Sequence, residues 1–431
     1  MPSTPSSPSF STDTVVTGRG YGVAGMGVMA GALGVGFASP VLVYIGLAMV
    51  CAVAVSGVWM MLSLNAFARR FPFARREVVP RPLTSHQPGQ VTVKIHSGGG
   101  SQRSSVRRAL TESLDIREQA ASELTGGMGT KATVARTPSS LTLTYSLLPS
   151  RRGRWPLGPA LVHSSDPFGL LWADTSVGEA EMIPVWPPVV DLSATAGALM
   201  GHADRVVIGA RTPSADDASL RDYREGDDMR RVHWPSSARR GTILVRSDER
   251  AGRRPATVIM DLPREGPALE WSITAAVSIA LSVLDSGHPV RMIGAGIHPD
   301  ANRHVGEHGA DAGRAALLNQ TLDLAGPVSR GAATGHLVSA ARHASQDALR
   351  GEVIVGVLEP LDKEALDALV PLGDGGRAWA MVRSATGVEH DEAAEETVTA
   401  LRRAGWHAAT AASDSDLTHI WTSMITTGEM E

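Results

Sequence analysis

Residues 21–39, YGVAGMGVMAGALGVGFAS, and 41–64, VLVYIGLAMVCAVAVSGVWMMLSL, carry no charged side chain, and nothing else in the chain restricts its folding as strongly. Each is about as long as the ~20 residues that cross a bilayer core as helix. In lipid the backbone must satisfy its own hydrogen bonds, so two such runs joined at Pro40 predict a transmembrane helical hairpin over 19–66. GVMAG and GALGVG put small residues at the spacing that lets helices approach closely. The competing reading of the first run is a cleaved signal peptide, with Arg19 ahead of the apolar stretch and small residues after it. Arg69, Arg70, Arg75 and Arg76 follow the second run, whereas the connection at Pro40 is uncharged. By the bias of Lys and Arg toward the cytoplasmic side, this predicts a plasma-membrane protein with two spans and cytoplasmic soluble domains. Residues 1–18, rich in Ser, Thr and Pro, read as a disordered tail.

A chain of 431 residues exceeds what one core usually serves. Its net charge of −4 implies no general attraction to nucleic acid or acidic lipid. Cys51 is the single cysteine, which rules out an internal disulfide and fits a reducing compartment.

After the arginines the apolar period becomes two. Val91, Val93 and Ile95 alternate with polar residues in QVTVKIH, and Leu141, Leu143 and Tyr145 do so in LTLTYSL. With PALVH and EMIPVW these predict an antiparallel β-sandwich over 67–200, carrying a polar, Gly-rich loop or insertion at about 97–138. From Ala256 the pattern changes again. ATVIMDL, VRMIGAG, EVIVGVL, RAWAMVR and HAATAA are strand-like and alternate with helical stretches. Over 256–431 this predicts a doubly wound α/β domain, giving a mixed fold of hairpin, β-sandwich and α/β domain.

Between the two domains, over 201–255, lies YREGDDMRRVHWPSSARRG (223–241). So many charges cannot be buried unpaired, and Asp227 and Asp228 opposite Arg230, Arg231 and Arg239 could form forked, mutually satisfied ion pairs. Gly226 allows a tight turn before Asp227, and Trp234 offers an apolar plate on which the network could close. ILVR (243–246), ending at Arg246, reads as a strand that joins the sandwich or the α/β sheet. Two roles compete for Arg221, Tyr223, Gly226, Asp227, Arg230, His233, Trp234, Ser237, Arg239 and Arg246. One is an interdomain latch whose charges pair internally, the other a docking surface for a partner protein.

The stretch LRDYREGDDMRRVHWPSSARRGTILVRSDER (220–250) resembles the signature of the bacterial membrane proteins grouped as domain of unknown function 58. RRGRWPLGP (151–159), DPFGL (166–170) and VWP (185–187) stand in the order that family shows. The resemblance runs from the hairpin to about residue 300, and it implies that the α/β part is a von Willebrand factor A-like domain. It also implies partners, a MoxR-like AAA+ ATPase and a transglutaminase-like membrane protein, and no established enzymatic activity.

The von Willebrand-type fold is known for an Asp-x-Ser-x-Ser loop that holds Mg²⁺. Here the loop is DLPRE: Asp261 is kept, but Pro263 and Glu265 replace both serines. Glu359 and Asp362 could add oxygens, so a degenerate metal-dependent binding or enzymatic site at Asp261 is the alternative function, with Mg²⁺ as its cofactor. His233 has no second histidine or cysteine at ligand spacing, and Ser236 and Ser237 lack a nucleophile-elbow frame. His298, His304 and His308 read as a glycine-bearing surface loop. Eight arginines against six acids in 221–250 are too nearly neutralised for a phosphate-binding stripe. The sequence therefore predicts an adaptor or assembly protein, without catalytic residues, cofactor or nucleic-acid partner.

Overall fold

Glycine at every seventh position shapes the first structural element. Helix α1 (Gly18–Gly36) buries Gly20, Gly27 and Gly34, all on one line along its axis. A Cβ on Gly27 would lie 2.9 Å from the Gly46 carbonyl of helix α2 (Pro40–Arg70), and one on Gly46 would lie 2.5 Å from Gly31 N. The two backbones therefore touch, as small residues permit. Around this seam the side chains are apolar and exposed, among them Val28, Met29 and Val35 of α1 and Ile45, Leu47, Val55 and Val58 of α2.

The computed structural model describes residues 12–70, 73–96, 115–127, 132–136, 140–166, 168–193, 196–197, 199–200, 220–222, 234, 237–238, 241–246, 254–263, 266–297, 303–306, 310–348, 352–375, 377–384, 391–412 and 415–427. They form two units, divided between Trp186 and Pro187.

In the first unit, part of the expected disordered tail is a strand, β1 (Thr12–Val16), paired antiparallel with β9 (Leu171–Val177). The reason is local. Val16 packs with Val23, Val53, Met60, Leu170 and Leu171, and Thr17 caps α1 by accepting from Gly20 N at 3.0 Å.

One sheet of the sandwich runs β2 (Phe73–Val79), β4 (Gly89–His96), β7 (Ser140–Leu147), β6 (Thr133–Arg136). The other runs β1, β9, β8 (Gly153–Ser165), β10 (Glu181–Trp186), β3 (Leu83–Thr84), with β5 (Asp115–Ala120) also on β8. Pairing is antiparallel except between β10 and β3. Val91, Val93, Ile95, Leu141, Leu143 and Tyr145 all face the core, as period two requires.

The span 97–138 is not a plain loop. It supplies β5, the short helix α3 (Ser122–Thr125) and β6, because Ile116 and Leu124 are buried in the core. Beside them Arg76 donates from Nε to Glu118 Oε1 at 2.6 Å, with side chains only 4% and 2% exposed. Arg76 is thus spent on an internal ion pair and leaves the group of arginines expected to flank the membrane.

The second unit begins earlier than residue 200. Val190 N and Leu192 N donate to Ser278 Oγ and Ser282 Oγ of helix α4 (Pro267–Asp285), which ties the segment after Trp186 to the α/β part. The antiparallel pair β11 (Leu220–Asp222) and β12 (Leu244–Arg246) comes next. Then come β13 (Ala256–Met260), α4, β14 (Val290–Gly294), α5 (Ala310–Thr321), α6 (Arg330–Ala348), β15 (Val353–Leu358), α7 (Lys363–Leu369), β16 (Ala378–Ser384), α8 (Glu392–Arg403), β17 (His407–Ala412) and α9 (Leu417–Thr427).

All five strands pair parallel, in the order β14-β13-β15-β16-β17. Helices cover both faces. Ile259 clusters with residues of α6, α7 and α8, while Val258 and Met260, of opposite parity, are buried on the other face, where α4 packs.

Two described helices are long and apolar enough to cross a membrane, Pro40–Leu62 of α2 and Pro267–Asp285, which is α4. The second is core, buried along most of its length. Helix α1, which contains Arg19 and eight glycines, is not one of them.

Candidate functional site

The charged segment is closed at its base by β11 and β12, with Arg221 opposite Val245 and Leu220 opposite Arg246. The strand ending at Arg246 therefore joins neither large sheet. Its partner is the other end of its own segment, which closes the shorter loop at lower entropic cost. Within that loop Tyr223, Gly226, Asp227, Arg230, His233 and Arg239 lie outside the described residues, as do Arg224, Glu225, Asp228, Arg231 and Arg240. Ser237 is buried, and its carbonyl accepts from Gly241 N at 2.9 Å, with Gly241 at φ +72. The Trp234 side chain stands 60% exposed, and the charged residues expected to close on it lie outside the described residues. An indole flanked by charged residues that seek water stays at the surface unless another body covers it.

A second site emerges from the sheet order. The chain passes from β13 outward to β14 and then crosses back over β13 to β15, so the carboxyl ends of β13 and β15 mark the topological switch point where open α/β sheets form ligand crevices. Asp261 follows β13, and Glu359 and Asp362 follow β15. On the β14 side of Asp261 a cavity of about 150 Å³ is lined by Asp261, Leu262, Ala295, Val328, Ala333 and His336 among others.

The acids in this crevice are already engaged. Arg383, at the end of β16, forks onto both oxygens of Glu359. Asp362 caps α7 by accepting from Ala365 N at 2.9 Å and takes the Thr334 hydroxyl at 2.5 Å. These bonds hold its carboxyl below the usual range, Thr334 contributing most. Arg330, at the start of α6, donates to the Pro360 carbonyl and places its charge beside Asp261 and Asp362. Asp261 is buried, and desolvation, with Glu359 next, pushes its pKa up to about 6.

This donor set does not fit Mg²⁺. The cation requires near-octahedral oxygen ligands, whereas Pro263 offers no hydroxyl, Glu359 is held by Arg383, and the charge of Arg330 already acts on Asp261; Glu265 lies outside the described residues. Among the described residues no group of three or more His, Cys, Asp or Glu is arranged to hold a metal. Sequence reasoning found Asp261, Glu359 and Asp362 but missed Arg330, Thr334, His336 and Arg383. Arg383 alone had a signal, as the charged end of an apolar strand.

A test with a definite sign follows for Asp261. Its carboxyl is harder to ionise in the folded chain than in the unfolded one, so ionisation opposes folding. That penalty grows as pH rises from the ordinary carboxylate value of 3.8 to about 6 and is complete above it. At 1.36 kcal/mol per pKa unit it amounts to about 3 kcal/mol. Asp261→Asn is therefore expected to raise the melting temperature at pH 8 and to change it little at pH 4, as measured by differential scanning fluorimetry. An equal shift at both pH values would contradict this.

At the opposite end of the sheet, Glu352 is fully buried and accepts from Thr257, from Arg291 at 3.2 Å and from His304 Nε2 at 2.7 Å. His304 thus clasps its loop to the sheet. His298 and His308 lie outside the described residues.

No family model matches this chain, and no curated protein matches it. Among solved structures it is similar to a protein described as von Willebrand factor type A from Catenulispora acidiphila, at 11% identity over 43% of this chain and 43% of that one, with a TM-score of 0.26. The chain thus spans less than half the length of that structure. A likeness of this strength carries no argument. The α/β fold rests on the register of its own five strands.

Proposed function

We propose that this chain is a membrane-anchored, cytoplasm-facing adaptor of the domain of unknown function 58 kind, ending in a von Willebrand factor A-type domain. The observation that carries the reading is the glycine-seamed hairpin of α1 and α2, most of whose apolar side chains away from the seam and from the Leu170–Leu171 contact are exposed. Such a surface is stable in lipid and a liability in water. Arg69, Arg70 and Arg75 follow the second span and favour the cytoplasmic side for the soluble units.

The docking role of the charged segment is favoured over the latch by the exposed Trp234. Tryptophan and arginine are the residue types that dominate binding hot spots. Its partner on this reading is a MoxR-like AAA+ ATPase, with a transglutaminase-like membrane protein as a second. On this reading the protein performs no catalysis of its own.

Affinity capture from detergent extract tests the docking. Trp234→Ala is expected to weaken capture of the ATPase roughly 30-fold, the ~2 kcal/mol of a hot-spot residue. Its melting temperature should stay that of the wild type, since truncating an exposed side chain moves stability by no more than ~0.5 kcal/mol. Capture that survives intact would refute docking through Trp234. A large drop in melting temperature would return the segment to the role of a latch.

A further inference from the structure

Asp166 and Phe168–Leu171 are cross-braced by hydrogen bonds and carry an exposed aromatic ring. Asp166 accepts from Phe168 N at 3.0 Å and from Leu171 N at 2.8 Å, and Gly169, at φ +67, donates to the Asp166 carbonyl at 3.1 Å. The turn is also bolted to the base of the hairpin. Thr17 N donates to the Leu170 carbonyl at 2.8 Å, and Gly20 lies so close that a Cβ there would sit 2.4 Å from the same oxygen. Leu170 and Leu171 pack on Val23 of α1 and on Val53 and Met60 of α2. Yet Phe168, at the tip, is 69% exposed, although burying such a ring inside the protein would stabilise it.

The height of this turn along the hairpin is fixed by those contacts. From Gly20 to Gly36 of α1, and from Pro40 to Met60 of α2, the helices rise about 25–30 Å, which matches the hydrocarbon thickness of a bilayer. Tyr21 and Trp59, at the same level as the turn, are 69% and 40% exposed, and Phe37 and Tyr44 are exposed at the far end. Aromatic rings at both ends of an apolar helix pair mark the two membrane interfaces.

We infer that the 166–171 turn is an interfacial anchor, which seats Phe168 at the boundary of acyl chains and headgroups in line with Tyr21 and Trp59. It would hold the sandwich sheet edge formed by β1 and β9 against the membrane surface. The inference rests on the proposed insertion of the hairpin, and the test separates the two.

Full-length protein with Cys51→Ser and Phe168→Cys is labelled with the fluorophore NBD and reconstituted into phosphatidylcholine vesicles. A second sample carries Cys51→Ser with Leu47→Cys, mid-hairpin. The label at 168 is expected to shift to the blue on reconstitution, to be quenched more by lipid brominated near the headgroup than by lipid brominated deep in the chain, and to resist aqueous iodide. The label at 47 should favour the deep bromines. Free quenching of position 168 by iodide while position 47 is quenched from within the lipid would overturn the anchor and leave the hairpin standing. Protection from iodide without quenching by bromolipid would also overturn it, because protein would then cover the ring. A label at 47 that no bromolipid reaches would refute both.

Discussion

Glu118→Ala is expected to destabilise the sandwich unit by about 3–5 kcal/mol, the cost of leaving a buried guanidinium without its counter-charge. The Arg76 side chain is 4% exposed and that of Glu118 2% exposed, so water cannot replace the lost carboxylate. The pair is already poorly served. Arg76 Nη2, Glu118 Oε2 and the Tyr145 hydroxyl are buried without a hydrogen-bond partner, and burial raises the Glu118 pKa despite Arg76 beside it. Two consequences can be measured by denaturant unfolding in detergent. The single variant should lose most of the unit's stability. Arg76→Met combined with Glu118→Leu should regain much of the loss, since apolar side chains of similar volume often match or exceed a buried ion pair. A single variant as stable as the wild type would show that the carboxylate and guanidinium are solvated.

Gly46→Leu carries the second large effect. Its Cβ would lie 2.5 Å from both the Gly27 carbonyl and Gly31 N, which are backbone atoms that cannot turn aside. The helices must separate, at a cost of about 1–3 kcal/mol or more, because overpacking a tight seam forces the backbone to shift. Gly57→Leu, on the same helix with nothing within 4 Å of its Cβ, is the control and should be near neutral. Thermal aggregation of the purified protein in detergent compares them. Equal melting for both variants would mean that the seam is not the contact that holds the hairpin.

Much of this architecture was legible because periodicity reports burial. The five parallel strands lie where apolar runs end in turns, and the alternation of Val91, Val93 and Ile95 marks the core face of β4. What stayed hidden depends on contacts distant in sequence. Polar neighbours hid β5 and β6, whose Ile116 and Val134 pack against strands distant in sequence. Strand β1 looked like part of a Ser/Thr-rich tail because its pairing with β9 spans more than half of the first unit. The crevice was half visible: an acid or an arginine at the end of an apolar strand has a local signature, as Asp261 and Arg383 do, but which groups they meet across the sheet has none.

Protease accessibility in intact cells and in inverted membrane vesicles tests the central claim most directly. With the hairpin inserted and both soluble units on the cytoplasmic side, trypsin added to spheroplasts should leave the full-length chain intact. In inverted vesicles it should digest everything after α2, leaving a membrane-bound fragment that contains the glycine seam. Digestion in spheroplasts with protection in inverted vesicles, or recovery of the chain in the soluble fraction after lysis, would contradict the account.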